Sequence, residues 1–158
     1  MIHVHTYEKY WIMISLAMLV VFAAAVTVSG FMLGIQLPAP EAIVNPNTIA
    51  QTGNFAKPGL RQLAPNKYEA YILAQAQPWK FTPNKIEIPA GATVTFYVTS
   101  VDVQHGFKVE GTNINVQIVP GQVSKMTATF KEAGTFPFVC TEYCGVGHQN
   151  MFGTITVK

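Results

Sequence analysis

Two cysteines stand four residues apart near the end of the chain, in Cys140-Thr-Glu-Tyr-Cys144. A histidine and a methionine follow at intervals of four and three, as His148 and Met151. Thiolate is a soft, charged ligand, imidazole is borderline, and thioether is soft and weak. A site combining the three favours copper over magnesium or calcium. Zinc also takes Cys and His, but Met is not among its usual ligands. An iron–sulfur cluster on four cysteines is excluded, because the chain has two.

The number of thiolates separates the copper chemistries. A mononuclear blue-copper site uses one Cys, two His and a weak Met. Here a second thiolate is available, and two thiolates can each bridge two metal ions. That leaves one terminal imidazole for each ion. His148 supplies one, and His105, in Asp102-Val-Gln-His105-Gly-Phe, is the upstream histidine of the soluble part. Met151 then serves as a weak axial ligand, and the carbonyl oxygen of Glu142, between the cysteines, is the nearest further donor. Such a unit shares one electron between its ions. It has no open coordination position, so it suits one-electron transfer rather than substrate chemistry. The alternatives are a Cys140–Cys144 disulfide outside the cytoplasm and buried inert thiols beside a core methionine. Neither accounts for His148 and Met151 together, and His105 taken alone reads as an ordinary core or surface histidine.

Elements able to hold these donors follow from the pattern of apolar residues. Tyr68-Glu-Ala-Tyr-Ile-Leu-Ala is rich in strand formers. In Thr93-Val-Thr-Phe-Tyr-Val-Thr99, Val94, Phe96 and Val98 share one face and threonines the other. Met126, Ala128 and Phe130 alternate with Thr127, Thr129 and Lys131, and Thr154-Ile-Thr-Val157 repeats the rhythm. Turn signals at Pro89-Ala-Gly91, Pro120-Gly121 and Ala133-Gly134 separate them. Short strands with this punctuation predict an all-β sandwich over residues 67–158. His105 follows directly on the strand at 93–99, where a strand end or a loop can face the cysteine loop. A domain of about 90 residues is small enough to gain stability from a bound metal.

The rest of the chain is not of this kind. Charged residues make up 11% of the 158 residues, against about 25% in an average protein. Between Tyr10 and Pro40 there is no Asp, Glu, Lys or Arg. The apolar run at residues 10–37 exceeds the roughly 20 residues needed to span a bilayer as a helix. Tyr10 and Trp11 sit where an interfacial anchor belongs. A cleaved signal peptide would place its small-residue cleavage zone at residues 23–30, yet Phe31-Met-Leu-Gly-Ile continues the run. A retained span in residues 1–37 is therefore expected. Lys9 precedes the span and the next basic residue is Lys57, which keeps the N-terminus in the cytoplasm. His3 and His5 read as solvated side chains. Residues 38–66 carry five of the ten prolines with no helical or strand period, and read as a linker or an irregular packed strap. The net charge of +2 is too small to suggest a nucleic-acid partner.

These residues resemble a known family. Cys140-Thr-Glu-Tyr-Cys144-Gly-Val-Gly-His148-Gln-Asn-Met151 is similar to the binuclear CuA loop of cytochrome c oxidase subunit II. Trp79-Lys-Phe-Thr-Pro-Asn-Lys-Ile-Glu-Ile-Pro, Asp102-Val-Gln-His105-Gly-Phe, Gly111-Thr-Asn-Ile-Asn115 and Val119-Pro-Gly121 extend the match. One N-terminal span with a short domain looks most like the B-family, ba-type heme–copper oxidases. The resemblance implies a cupredoxin-like Greek-key sandwich. It implies two copper ions on His105, Cys140, Glu142 (through its backbone oxygen), Cys144, His148 and Met151. Every such position holds the expected residue type, unlike the related quinol oxidases that have lost copper.

The implied role is that of an oxidase subunit in the cell membrane with its copper domain on the outer face. It accepts electrons from cytochrome c and passes them to heme held in subunit I. Oxygen is reduced there with proton translocation, so the oxygen-reducing site lies in another chain. The resemblance further implies that the Glu142 carboxylate contributes to a magnesium site at the subunit I boundary. Trp79 resembles an aromatic near the surface where electrons arrive, although a rim or core aromatic fits the position as well. A free-standing anchored cupredoxin is a competing reading. The copper domain of nitrous-oxide reductase is another, but its large propeller has no room in 158 residues.

Overall fold

A computed structural model describes residues 5–32 and 40–158. His3, residues 33–37 of the apolar run, and Pro38 and Ala39 at the start of the proline-rich segment lie outside the described residues. The chain divides into two compact units, Met1–Pro38 and Ala39–Lys158.

The first unit is helix α1, Thr6–Met32. Its 27 residues rise about 40 Å at 1.5 Å per residue, more than the roughly 30 Å of a bilayer core. Leu16, Met18, Leu19, Val20, Val21 and Phe22 are all exposed, so apolar side chains surround the helix axis instead of forming one stripe. That is the pattern of a helix long and apolar enough to cross a membrane. The hydroxyl of Thr27 donates to the Ala23 carbonyl at 2.8 Å, which satisfies it within the helix.

The second unit is a two-sheet sandwich of eleven strands: β1 (Ala42–Ile43), β2 (Gly59–Ala64), β3 (Lys67–Ala76), β4 (Trp79–Thr82), β5 (Lys85–Ile88), β6 (Ala92–Ser100), β7 (His105–Val109), β8 (Asn115–Ile118), β9 (Gln122–Phe130), β10 (Gly134–Val139) and β11 (Phe152–Val157). One sheet runs β1-β9-β6-β3-β2, with β4 also beside β3, and the other runs β5-β11-β10-β7-β8. The alternation at 93–99 gives the inward row Val94, Phe96 and Val98, each fully buried. The outward threonines pair across strands, Thr93 with Thr129 at 2.9 Å and Thr95 with Thr127 at 3.2 Å. Between the sheets, Phe81, Phe96, Phe107 and Phe138 pack as tilted and edge-to-face rings with centroids 5.2 to 6.0 Å apart.

The proline-rich segment is not a linker over the residues described. From Pro40 on it carries β1, two 3₁₀ turns (Ile49–Gln51 and Gly53–Ala56) and β2, which pairs with β3. Ile49 and Phe55 close over Tyr71, Leu73 and Val123 on the outer face of the first sheet. Folded structure thus begins well before Lys67. The segment has no period of its own because its backbone takes its conformation from the sheet it covers.

Candidate metal centre

The loop between β10 and β11 carries the cysteines, and the ladder fixes its two ends. Val139 pairs with Phe152, and the Cys140 N–H then donates to the Met151 carbonyl at 3.1 Å. Cys140 and Met151 are therefore brought together by the last rung of a hairpin. His105 opens β7, which pairs beside β10 through Lys108 and Val139. Gly106 lets β7 approach the loop, since a Cβ there would meet the backbone nitrogens of Thr141 and Glu142. Its N–H lies 3.5 Å from the Cys140 sulfur.

Around that point the donors converge. The two Sγ atoms are 3.8 Å apart. That is well beyond a disulfide bond of about 2.05 Å, and both cysteines are free. It is short enough for both sulfurs to bind one ion at about 2.3 Å each. Nδ1 of His105 is 3.9 Å from Cys140 Sγ, and Nδ1 of His148 is 3.6 Å from Cys144 Sγ. Met151 Sδ is 3.8 Å from Cys144 Sγ, and the Glu142 carbonyl oxygen is 3.2 Å from Cys140 Sγ. The ligand atoms of His105, Cys140 and Cys144 all lie within 4.8 Å of one another. All six residues singled out in the sequence thus meet at one site, and two facing sulfurs flanked by imidazoles fit a pair of copper ions.

Burial of these donors is graded. His105 is fully buried, Met151 is 2% exposed, and Cys140 and Cys144 are 7% and 8% exposed. His148 is half-buried, and beside it Tyr143 and Val146 are each 78% exposed. Water is kept from the sulfurs, while the His148 edge approaches the surface.

Asp102, quoted in the sequence only as part of the His105 stretch, joins the site in the structure. Its Oδ1 lies 3.0 Å from Nε2 of His105, which fixes the ring and leaves Nδ1 toward the sulfur. The carboxylate also accepts from the N–H groups of Ala76 at 2.6 Å and Val103 at 2.7 Å. Burial raises its pKa, but those N–H groups and His105 outweigh it and hold the carboxyl below its ordinary range. Its signal was an acidic residue three positions before the histidine. Trp79 opens β4 and donates its indole N–H to the Cys144 carbonyl at 3.1 Å.

The two thiols do not ionise alike in the absence of bound metal. Burial raises Cys140, but His105 and the N–H groups of Gly106 and Glu142 overcome this and bring it down to about 6. Burial and the adjacent Cys140 charge push Cys144 up to about 12. Two bare anions this close repel, so a bound cation is needed before both exist as thiolates.

A Greek-key sandwich with a Cys-Cys-His-Met loop at one end defines a cupredoxin domain of the copper-binding electron-transfer class. The periplasmic domain of cytochrome c oxidase subunit II matches residues 68–158. Cytochrome c oxidase subunit 2 of Thermus thermophilus is 49% identical over 156 residues, covering 96% of this chain and 92% of that one. The chain belongs to the cytochrome c oxidase subunit II family. A chain from the cryo-EM structure of a heme–copper terminal oxidase dimer superposes with a TM-score of 0.69 at 33% identity, covering 96% of this chain and 99% of that one. The periplasmic domain of oxidase subunit II (CoxB) of Bradyrhizobium japonicum shares the fold, with a TM-score of 0.52 at 19% identity over 57% of this chain and 83% of its own.

Proposed function

We propose that this chain is the electron-receiving subunit of a proton-translocating cytochrome c oxidase. In this reading six residues hold two copper ions: His105, Cys140, Glu142 (backbone oxygen), Cys144, His148 and Met151. One observation carries it: two free, buried thiols face each other at 3.8 Å with an imidazole nitrogen turned toward each. Copper bound there supplies a one-electron couple shared between two ions. The protein's part is to hold the donors in place and exclude water, so that little rearrangement accompanies a change of charge.

Cytochrome c is the proposed donor, arriving where Tyr143, Val146 and the half-buried Trp79 frame the loop. The indole contacts the carbonyl of a ligand cysteine directly, which gives an arriving electron a short covalent and hydrogen-bonded route. Heme in subunit I is the proposed acceptor, and oxygen is reduced to water there. Glu142 divides its functions in this reading. Its backbone oxygen faces Cys140, while its carboxylate, 3.4 Å from the Gln117 amide nitrogen, is available to magnesium at the subunit I boundary. Helix α1 is the proposed single span in the cell membrane, with the N-terminus cytoplasmic and the copper domain outside. Likeness to the Thermus subunit over nearly the whole chain, helix included, supports assignment to the ba-type class.

The deciding experiment loads the full chain in detergent with copper and measures stoichiometry and the paramagnetic spectrum. Two copper ions per chain, a purple colour and an electron shared by two nuclei are expected. One ion per chain, or a blue single-copper spectrum, overturns the proposal.

A further inference from the structure

Two glycines in the metal loop have no shared backbone explanation. Gly145 has φ +124°, a conformation that other residues rarely adopt. Gly147 has φ −102°, which any residue can take. What the two have in common is Trp79. A Cβ on Gly145 would sit 3.1 Å from Cζ2 and Nε1 of the indole, and a Cβ on Gly147 would fall among the ring atoms themselves. The indole lies in a cradle that side chains at these positions would fill. Its N–H is anchored on the carbonyl of Cys144, the residue just before the cradle.

We infer that Trp79 is a positioning residue that braces the Cys144–His148 segment, so that thiol and imidazole are set before a metal ion arrives; this inference rests on the copper-binding reading above. Trp79 belongs to the six-stranded sheet, through its pairing with Ala76 on β3. The loop belongs to the five-stranded sheet, through β10 and β11. The indole bond therefore ties the metal loop of one sheet to a hairpin of the other. Among the described residues no other hydrogen bond links the first sheet to the segment from Cys144 to Asn150. Both glycines are also the turn carbonyls that hold the following residues: His148 N–H donates to Gly145 at 3.0 Å and Asn150 N–H donates to Gly147 at 2.9 Å. Pressing an indole on those two residues fixes the turn that aims His148 at Cys144. Arrival of electrons through the ring is a separate role, and bracing does not depend on it.

The test is amide hydrogen exchange of the metal-free full chain in detergent, read over residues 141–151 with β6 and β9 as internal references. Trp79→Phe keeps most of the ring and deletes the N–H, so loop exchange should rise about fivefold, the worth of one hydrogen bond. Trp79→Ala should raise it further. Gly147→Ala, which retains Trp79 and every donor, should loosen the loop as well by expelling the ring. In all three the reference strands stay unchanged, and copper is lost to a chelator faster in the same order. Unchanged loop exchange in both Trp79→Ala and Gly147→Ala overturns the inference. So does an equal rise in β6 and β9, which would make Trp79 a general core residue. If the wild-type chain fails to take two copper ions, the function proposed above falls, and the metal-free exchange result still decides the brace.

Discussion

Asp102 holds Nε2 of His105 at 3.0 Å and so leaves Nδ1 as the ring nitrogen facing Cys140. A ligand imidazole is thus oriented by a carboxylate that itself is held by two backbone N–H groups. Removing such a partner typically lowers metal affinity by about 10–100-fold. Asp102→Ala should fall in that range by chelator competition. It should also lose about 1–3 kcal/mol of stability, because the N–H groups of Ala76 and Val103 lose their acceptor. Asp102→Asn, which keeps an acceptor oxygen, should lose less of both. Equal affinity for Asp102→Ala and wild type would remove Asp102 from the site.

Cys144 and Met151 lie 3.8 Å apart and are expected to fail in different ways. Cys144→Ser removes a bridging thiolate and should abolish electron sharing. Met151→Leu is close to volume-conserving at a position only 2% exposed, so it should cost under about 1.5 kcal/mol. It should retain copper and shift the reduction potential, because an axial thioether tunes more than it holds. Loss of all copper from Met151→Leu, by metal analysis, would contradict the axial role.

Copper affinity should depend on pH through Cys140. Its pKa is depressed to about 6, so the thiolate is present above that value and protonated below it. Cys144, pushed up to about 12, must lose its proton to solvent when a metal binds near neutral pH. Affinity should therefore fall steeply as pH drops from about 7 to about 5, and loading near neutral pH should release protons in a weakly buffered solution. A flat affinity over that interval would mean that the thiols are not the ligands.

The strap over the first sheet should carry stability. Phe55 is 5% exposed and meets the Tyr71 ring edge-on at 5.4 Å. Phe55→Ala should cost about 3 kcal/mol in denaturant unfolding, and a chain started at Lys67, lacking β2 as well, should lose more. A change below about 0.5 kcal/mol for Phe55→Ala, the range of ordinary surface substitutions, would mean that the strap does not pack in solution.

The sequence alone determined the donor types, because a ligand's softness belongs to its side chain, and five of the six donors are neighbours in one loop. It also determined the apolar helix, the strands at 68–74, 93–99, 126–130 and 154–157, and the sandwich class, since periods of two and long apolar runs are local signals. Between Pro40 and Ala64 the sequence left linker and strap undecided and showed neither β1 nor β2, because their conformation is imposed by the sheet face and edge that they cover. The tertiary structure decided which distant groups meet. Cys140 and His105 are 35 positions apart, and Trp79 and Cys144 are 65 apart. Those approaches depend on strand register and on one sheet crossing the other, which no stretch of either segment encodes by itself. Asp102 gains its meaning only when β3 and β7 are brought beside it, and the two glycines only when β4 carries Trp79 against the loop.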